Sequence, residues 1–123
     1  MINYKDIKSN KFNFIAPKLS ETLNAKSQSE NSYFQIYCTV EKGSDPLFFE
    51  WSINGSNIKS SPEVHYKIDN FERYSTFTIK KLNRKDSANY GCVVSNQYGS
   101  DAQNIQLKVK GGIVLITMLK IQT

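Results

Sequence analysis

A chain of 123 residues, 39% hydrophobic and 22% charged, has the composition of a soluble globular protein with room for one domain. Its formal charge of +5 does not mark a nucleic-acid binder. Between Ala16 and Lys110 there are 12 Lys/Arg against 10 Asp/Glu, and the remaining excess comes from Lys5, Lys8, Lys11 and Lys120 against Asp6 at the ends. No basic stripe interleaved with aromatics occurs, so no nucleic-acid partner is expected.

Residues 1–13 lack the apolar core of a secretory leader and are read as a flanking segment outside a domain spanning 14–110. Pro17 suits an edge strand whose ladder must break. The run "YFQIYCTV" (33–40) alternates, with Phe34, Ile36, Cys38 and Val40 on one face and Tyr33, Gln35, Tyr37 and Thr39 on the other. After the loop 41–46, "LFFEWSI" (47–53) places Leu47, Phe49, Trp51 and Ile53 inward. Asn54-Gly55 follows at once, the dipeptide preferred in two-residue hairpin turns because both residues accept positive φ. With Ser56 it is also an acceptor sequon for N-linked glycan, meaningful only if the chain is secreted.

Next, "VHYKID" (64–69) alternates Val64, Tyr66 and Ile68 inward with His65, Lys67 and Asp69 outward. "STFTIKKL" (75–82) points Phe77 and Ile79 inward and Thr76, Thr78 and Lys80 outward. "NYGCVVS" (89–95) aligns Tyr90, Cys92 and Val94, 96–101 is expected to be a turn, and "NIQLKV" (104–109) aligns Ile105, Leu107 and Val109. Residues 111–123 are a flanking tail. Its apolar "GIVLITML" is far shorter than the about 20 residues a membrane-spanning helix needs. Seven to nine short strands at this spacing predict an all-β sandwich of two antiparallel sheets.

Cys38 and Cys92 form no C-x-x-C pair, and with His65 the one histidine, no zinc site is expected. Two distant cysteines in an all-β pattern suggest one disulfide and an oxidising compartment, the alternative being two buried free thiols. If they bridge the sheets, Trp51 can pack beside them. Tyr90, two residues before Cys92, then fits a tyrosine corner, whose hydroxyl bonds back to upstream backbone. Asp86 would satisfy amides in the preceding bend.

On Cys38, Trp51, Asp86-x-Ala88-x-Tyr90-x-Cys92 and Asn96-x-x-Gly99, the sequence resembles the immunoglobulin superfamily, and its I-set in particular, over about Ala16 to Lys110. The stretches "APKL", "PLFFEWSINGS" and "VSNQYGS" are similar to variable-exon domains of arthropod Dscam-like cell-adhesion proteins. That resemblance implies homophilic self-recognition, in an antiparallel pair of identical domains, on a face built from the A, B, E and D strands. The residues implied there are Gln35, Tyr37, His65, Lys67, Asp69, Thr76, Thr78 and Lys80, with Lys67 and Lys80 complementing Asp69 and Glu30. It also implies an extracellular, cell-surface location within a larger chain that alone provides membrane attachment, and alternative exons; a glycan at Asn54 is expected from the sequon itself if the chain is secreted.

No catalytic, metal-binding or cofactor-binding residue is assigned: one histidine serves no Ser-His or Cys-His pair, and no phosphate-binding glycine motif occurs. A receptor domain for a different protein or glycan, and an intracellular structural module, are the alternative functions.

Overall fold

Residues 14–59 and 64–111 are described by the structure, a computed structural model. The flanks expected at 1–13 and 111–123 lie outside the described residues, apart from Gly111. The described residues form nine strands: β1 (Lys18–Leu19), β2 (Ala25–Ser29), β3 (Phe34–Lys42), β4 (Phe48–Ile53), β5 (Ser56–Ile58), β6 (Lys67–Asn70), β7 (Tyr74–Ile79), β8 (Ala88–Asn96) and β9 (Gly99–Lys110). A single 3-10 turn, Arg84–Asp86, separates β7 from β8. They form a four-stranded sheet in the order β1-β3-β7-β6 and a five-stranded sheet in the order β2-β9-β8-β4-β5.

Period-two alternation places the core. Phe34, Ile36, Cys38 and Val40 of β3, Tyr90, Cys92 and Val94 of β8, and Ile105, Leu107 and Val109 of β9 are all buried. Leu47, Phe49, Ile53, Tyr66 and Ile68 pack against that core while remaining partly exposed. Asn54 (φ 50°) and Gly55 (φ 85°) turn β4 into β5, which pairs back with Ile53 opposite Ser56. Both angles lie in the left-handed region that the two-residue turn requires.

Three elements depart from the sequence reading. The turn expected over 96–101 is only Gln97–Tyr98, because Asn96 pairs with Gly99 and the hairpin ladder continues through Ser95–Ser100. The Asn96 side chain braces it: Oδ1 accepts from the Tyr98 amide (2.8 Å), and Nδ2 donates to the carbonyls of Ile15 (2.8 Å) and Ser44 (3.0 Å). The strand expected over 64–69 runs instead from Lys67 to Asn70, since only these residues pair with β7; Val64 is exposed and His65 lies in a bend. Finally, the chain changes sheets after β1: Leu19 pairs with Val40 of β3, but Ala25–Ser29 run parallel to Gln106–Lys110 of β9. The segment "AKSQS" carries no apolar alternation, so backbone hydrogen bonds to β9 place it.

A four-residue ring ties the sheets together. Cys38 and Cys92 form a disulfide between them, with Cα atoms 6.4 Å apart. Cys38 lies opposite Ser75 on β7, and Cys92 lies opposite Trp51 on β4. The Trp51 indole Nε1 donates to Ser75 Oγ at 2.8 Å, closing the ring across the core. Ser75 Oγ in turn donates to Asn70 Oδ1 at 2.6 Å. Ser75→Ala leaves a buried indole N–H without its acceptor and is expected to cost about 1–3 kcal/mol. Urea unfolding followed through the fluorescence of the chain's one tryptophan measures this, and an unchanged midpoint would contradict the ring.

Candidate functional site

The outer face of the β1-β3-β7-β6 sheet is built around its middle strand, β7. Thr76 lies between Tyr37 of β3 and Asp69 of β6, and Thr78 lies between Gln35 and Lys67. Side chains from both flanks cover the two threonines, which are 5% and 6% exposed, and Gln35 Nε2 donates to Thr78 Oγ1 at 3.0 Å. They form the floor of the face, not the contact surface expected of them.

Aromatic rings rise above that floor. Tyr37 stacks on Tyr74 with centroids 6.0 Å apart, and Tyr74 stacks on Phe71 at 4.5 Å. Tyr37 is 52% and Phe71 48% exposed. The sequence reading missed Tyr74 and Phe71. Tyr74 shares the outward parity of Thr76 and Thr78, so beginning the strand one residue earlier would have revealed it. Phe71 joins the stack through the tight β6–β7 connection, in which its amide donates to the Tyr74 carbonyl at 2.8 Å.

Three ion pairs lie on and beside this face. Lys67 Nζ lies 3.7 Å from Asp69 on the same strand, Arg73 Nη1 lies 3.1 Å from Asp45, and Lys18 Nζ lies 3.4 Å from Glu41. Exposed pairs of this kind contribute about 0–1 kcal/mol each to stability. Lys80 is exposed at the end of β7.

Two expected members sit elsewhere. His65 Nε2 is 2.8 Å from Asp86 Oδ2, in the bend that precedes β6, so its ring faces the 3-10 turn and not the sheet face. Glu30 reaches Arg84 at the end of the sandwich, whose Nε lies 3.5 Å from its carboxylate. In both cases a nearby opposite charge or hydrogen-bonding partner at the end of the sandwich captures the side chain.

Asp86 organises that end. Its Oδ2 accepts from the Asn83 amide at 2.8 Å, while Asn83 Oδ1 accepts from the Lys85 amide at 2.9 Å. The Tyr90 hydroxyl donates to the Asp86 carbonyl at 2.5 Å. Burial, reinforced by the Asp86 charge, raises the Tyr90 phenol well above the ordinary tyrosine range. The hydroxyl therefore stays a donor where exposed tyrosines ionise.

Asn54 is exposed at the β4–β5 turn. Its carboxamide oxygen accepts from the Asn89 amide at 2.9 Å, and its own amide donates to the Asn89 carbonyl at 2.8 Å. Among the described residues, no cluster of three or more His, Cys, Asp or Glu could hold a metal ion.

The immunoglobulin I-set domain model matches residues 17–109. Mouse (Mus musculus) myopalladin is 27% identical over 95 residues, covering 77% of this chain, and the cell adhesion molecule Dscam1 of Drosophila melanogaster is 26% identical over 98 residues, covering 76%. The chain spans 7% of that myopalladin and 5% of that Dscam1. The I67–I69 fragment of the titin I-band superposes with a TM-score of 0.70 at 25% identity, over 79% of this chain and 33% of the fragment. Similarity at this level is shared among adhesion and muscle proteins, and the particular Dscam-like resemblance does not stand out from it.

Proposed function

The chain belongs to the immunoglobulin I-set family, and from that premise we propose that it is an extracellular recognition module that pairs with a second copy of itself through the outer face of the β1-β3-β7-β6 sheet. The observation that carries this reading is the stacked, half-exposed row Tyr37–Tyr74–Phe71, flanked by the Lys67–Asp69 and Arg73–Asp45 ion pairs. Aromatic side chains provide large contact areas at little rotamer cost and are enriched at binding hot spots. A face carrying both signs of charge can complement an identical face, and a twofold axis sets each aromatic row against its copy. The Cys38–Cys92 disulfide favours an oxidising compartment, which supports the extracellular location over an intracellular structural role. Similarity to myopalladin and titin speaks for the structural role, and a thiol assay on protein purified from its native source separates the two.

In sedimentation experiments, Tyr37→Ala and Lys67→Glu are each expected to weaken self-association about 5- to 30-fold, the effect of removing an interface residue worth about 1–2 kcal/mol, without lowering the melting temperature. Lys67→Glu acts by placing like charges beside Asp69 on both copies. Unchanged dimerisation would discard this face. A wild-type protein that stays monomeric at millimolar concentration would discard self-pairing.

A further inference from the structure

The five-stranded sheet carries a second feature that self-pairing does not use. Along β2, β9 and β8 runs an open groove of about 680 Å³, lined by Ala25, Ala88 and Leu107 and by the polar groups of Asn89, Gln106 and Lys108. Asn54, at the β4–β5 turn, also lines it. Asn54-Gly55-Ser56 is the one Asn-x-Ser/Thr sequon in the chain, and all three residues are exposed. The hydrogen bond from the Asn89 amide holds the Asn54 side chain through its oxygen, whereas a glycan joins the nitrogen.

We propose that Asn54 carries an N-linked oligosaccharide whose first N-acetylglucosamine residues lie in this groove. This inference rests on the extracellular reading, because the modification takes place in the secretory pathway. In the transfer, Asn54 Nδ2 forms a bond to C1 of an oligosaccharide carried on a polyisoprenyl diphosphate. The C1–O bond to the diphosphate breaks, and the proton lost from the amide leaves with the diphosphate. The groove then suits what has been attached. Its volume lies within the about 300–1,000 Å³ of small-ligand sites. Exposed Ala25 and half-buried Ala88 accept the apolar sugar face and acetamido methyl, and Asn89, Gln106 and Lys108 provide donors and acceptors for hydroxyl and amide groups. A glycan placed there covers the β2-β9-β8 side of the sandwich and leaves the Tyr37–Tyr74–Phe71 face open.

The test is secretion of the full chain from cultured eukaryotic cells behind a cleaved leader. The wild type is expected to show an intact mass raised by one N-glycan, which peptide N-glycosidase removes. Ser56→Ala, which breaks the sequon but keeps the Asn54 turn, is expected at the bare peptide mass. A secreted wild type at the bare mass overturns the site. Amide NMR shifts of Gln106 and Lys108 are expected to differ between the glycosylated wild type and Ser56→Ala. Differences confined to residues 53–57 and to Asn89, which bonds Asn54 directly, overturn the groove. Because the experiment itself supplies secretion, either failure counts against this inference alone, while the recognition reading stands or falls in sedimentation.

Discussion

Replacing Cys92 with serine is expected to remove about 4 kcal/mol of stability. The bond closes a loop across a sequence separation of 54 residues, and the loop-closure entropy restored to the unfolded chain has that magnitude. Against a total of about 5–15 kcal/mol for a domain of this size, such a loss threatens folding outright. It corresponds to a fall in melting temperature of order 20 °C. The serine also adds a penalty of its own, since a hydroxyl replaces a sulfur at a position with no solvent exposure. The double variant Cys38→Ala, Cys92→Ala separates the two effects, because it opens the loop without burying a polar group. Calorimetry on both variants provides the measurement. A double variant that melts within a few degrees of the wild type would show that packing alone joins the sheets.

Phe77→Ala is expected to cost about 3–5 kcal/mol, the range for deleting a fully buried aromatic ring. Phe77 has no exposed surface, and its ring centroid lies 5.0 Å from Tyr90, 5.2 Å from Tyr66, 5.6 Å from Trp51 and 6.4 Å from Phe34. These four rings come from β3, β4, β8 and the segment just before β6, so both sheets meet on this side chain. A cavity here removes contacts from all of them and cannot close by moving one neighbour. Phe77→Leu fills most of the volume and is expected to cost clearly less. Denaturant midpoints read the difference, with Trp51 fluorescence reporting the loosened packing at the ring it touches. An alanine variant that loses less than about 1 kcal/mol would mean that the surrounding rings collapse inward freely.

Much of this architecture was legible from local pattern. In β3 the alternation of Phe34, Ile36, Cys38 and Val40 fixes which side chains go inside, because a strand has a period of two whatever it packs against. Asn54-Gly55 marks its turn because few other residue pairs accept two positive φ values. Asp86 and Tyr90 lie four residues apart in sequence, so their bond is set by the local corner. The candidate face was less legible. Thr76 and Thr78 have the outward parity that was read for them, yet they are buried between β3 and β6, and β3 lies about forty residues away in sequence. Ser75 looked like an ordinary strand serine until the opposite sheet brought Trp51 to it.

The sequence by itself determined the class of fold, the inward rows, the cysteines that meet and the turn that joins β4 to β5. The rows and the turn follow from local interactions or from a periodicity that every strand obeys, and the cysteine pair from there being two cysteines, both on inward rows. The tertiary structure decided the rest. It moved the weakly patterned β2 to the edge beside β9, drew His65 and Glu30 away to charges at the end of the sandwich, and stacked Phe71, Tyr74 and Tyr37 into one exposed row. Apart from the Phe71–Tyr74 contact within one tight connection, those outcomes depend on partners tens of residues distant, and no local period encodes which of them will arrive.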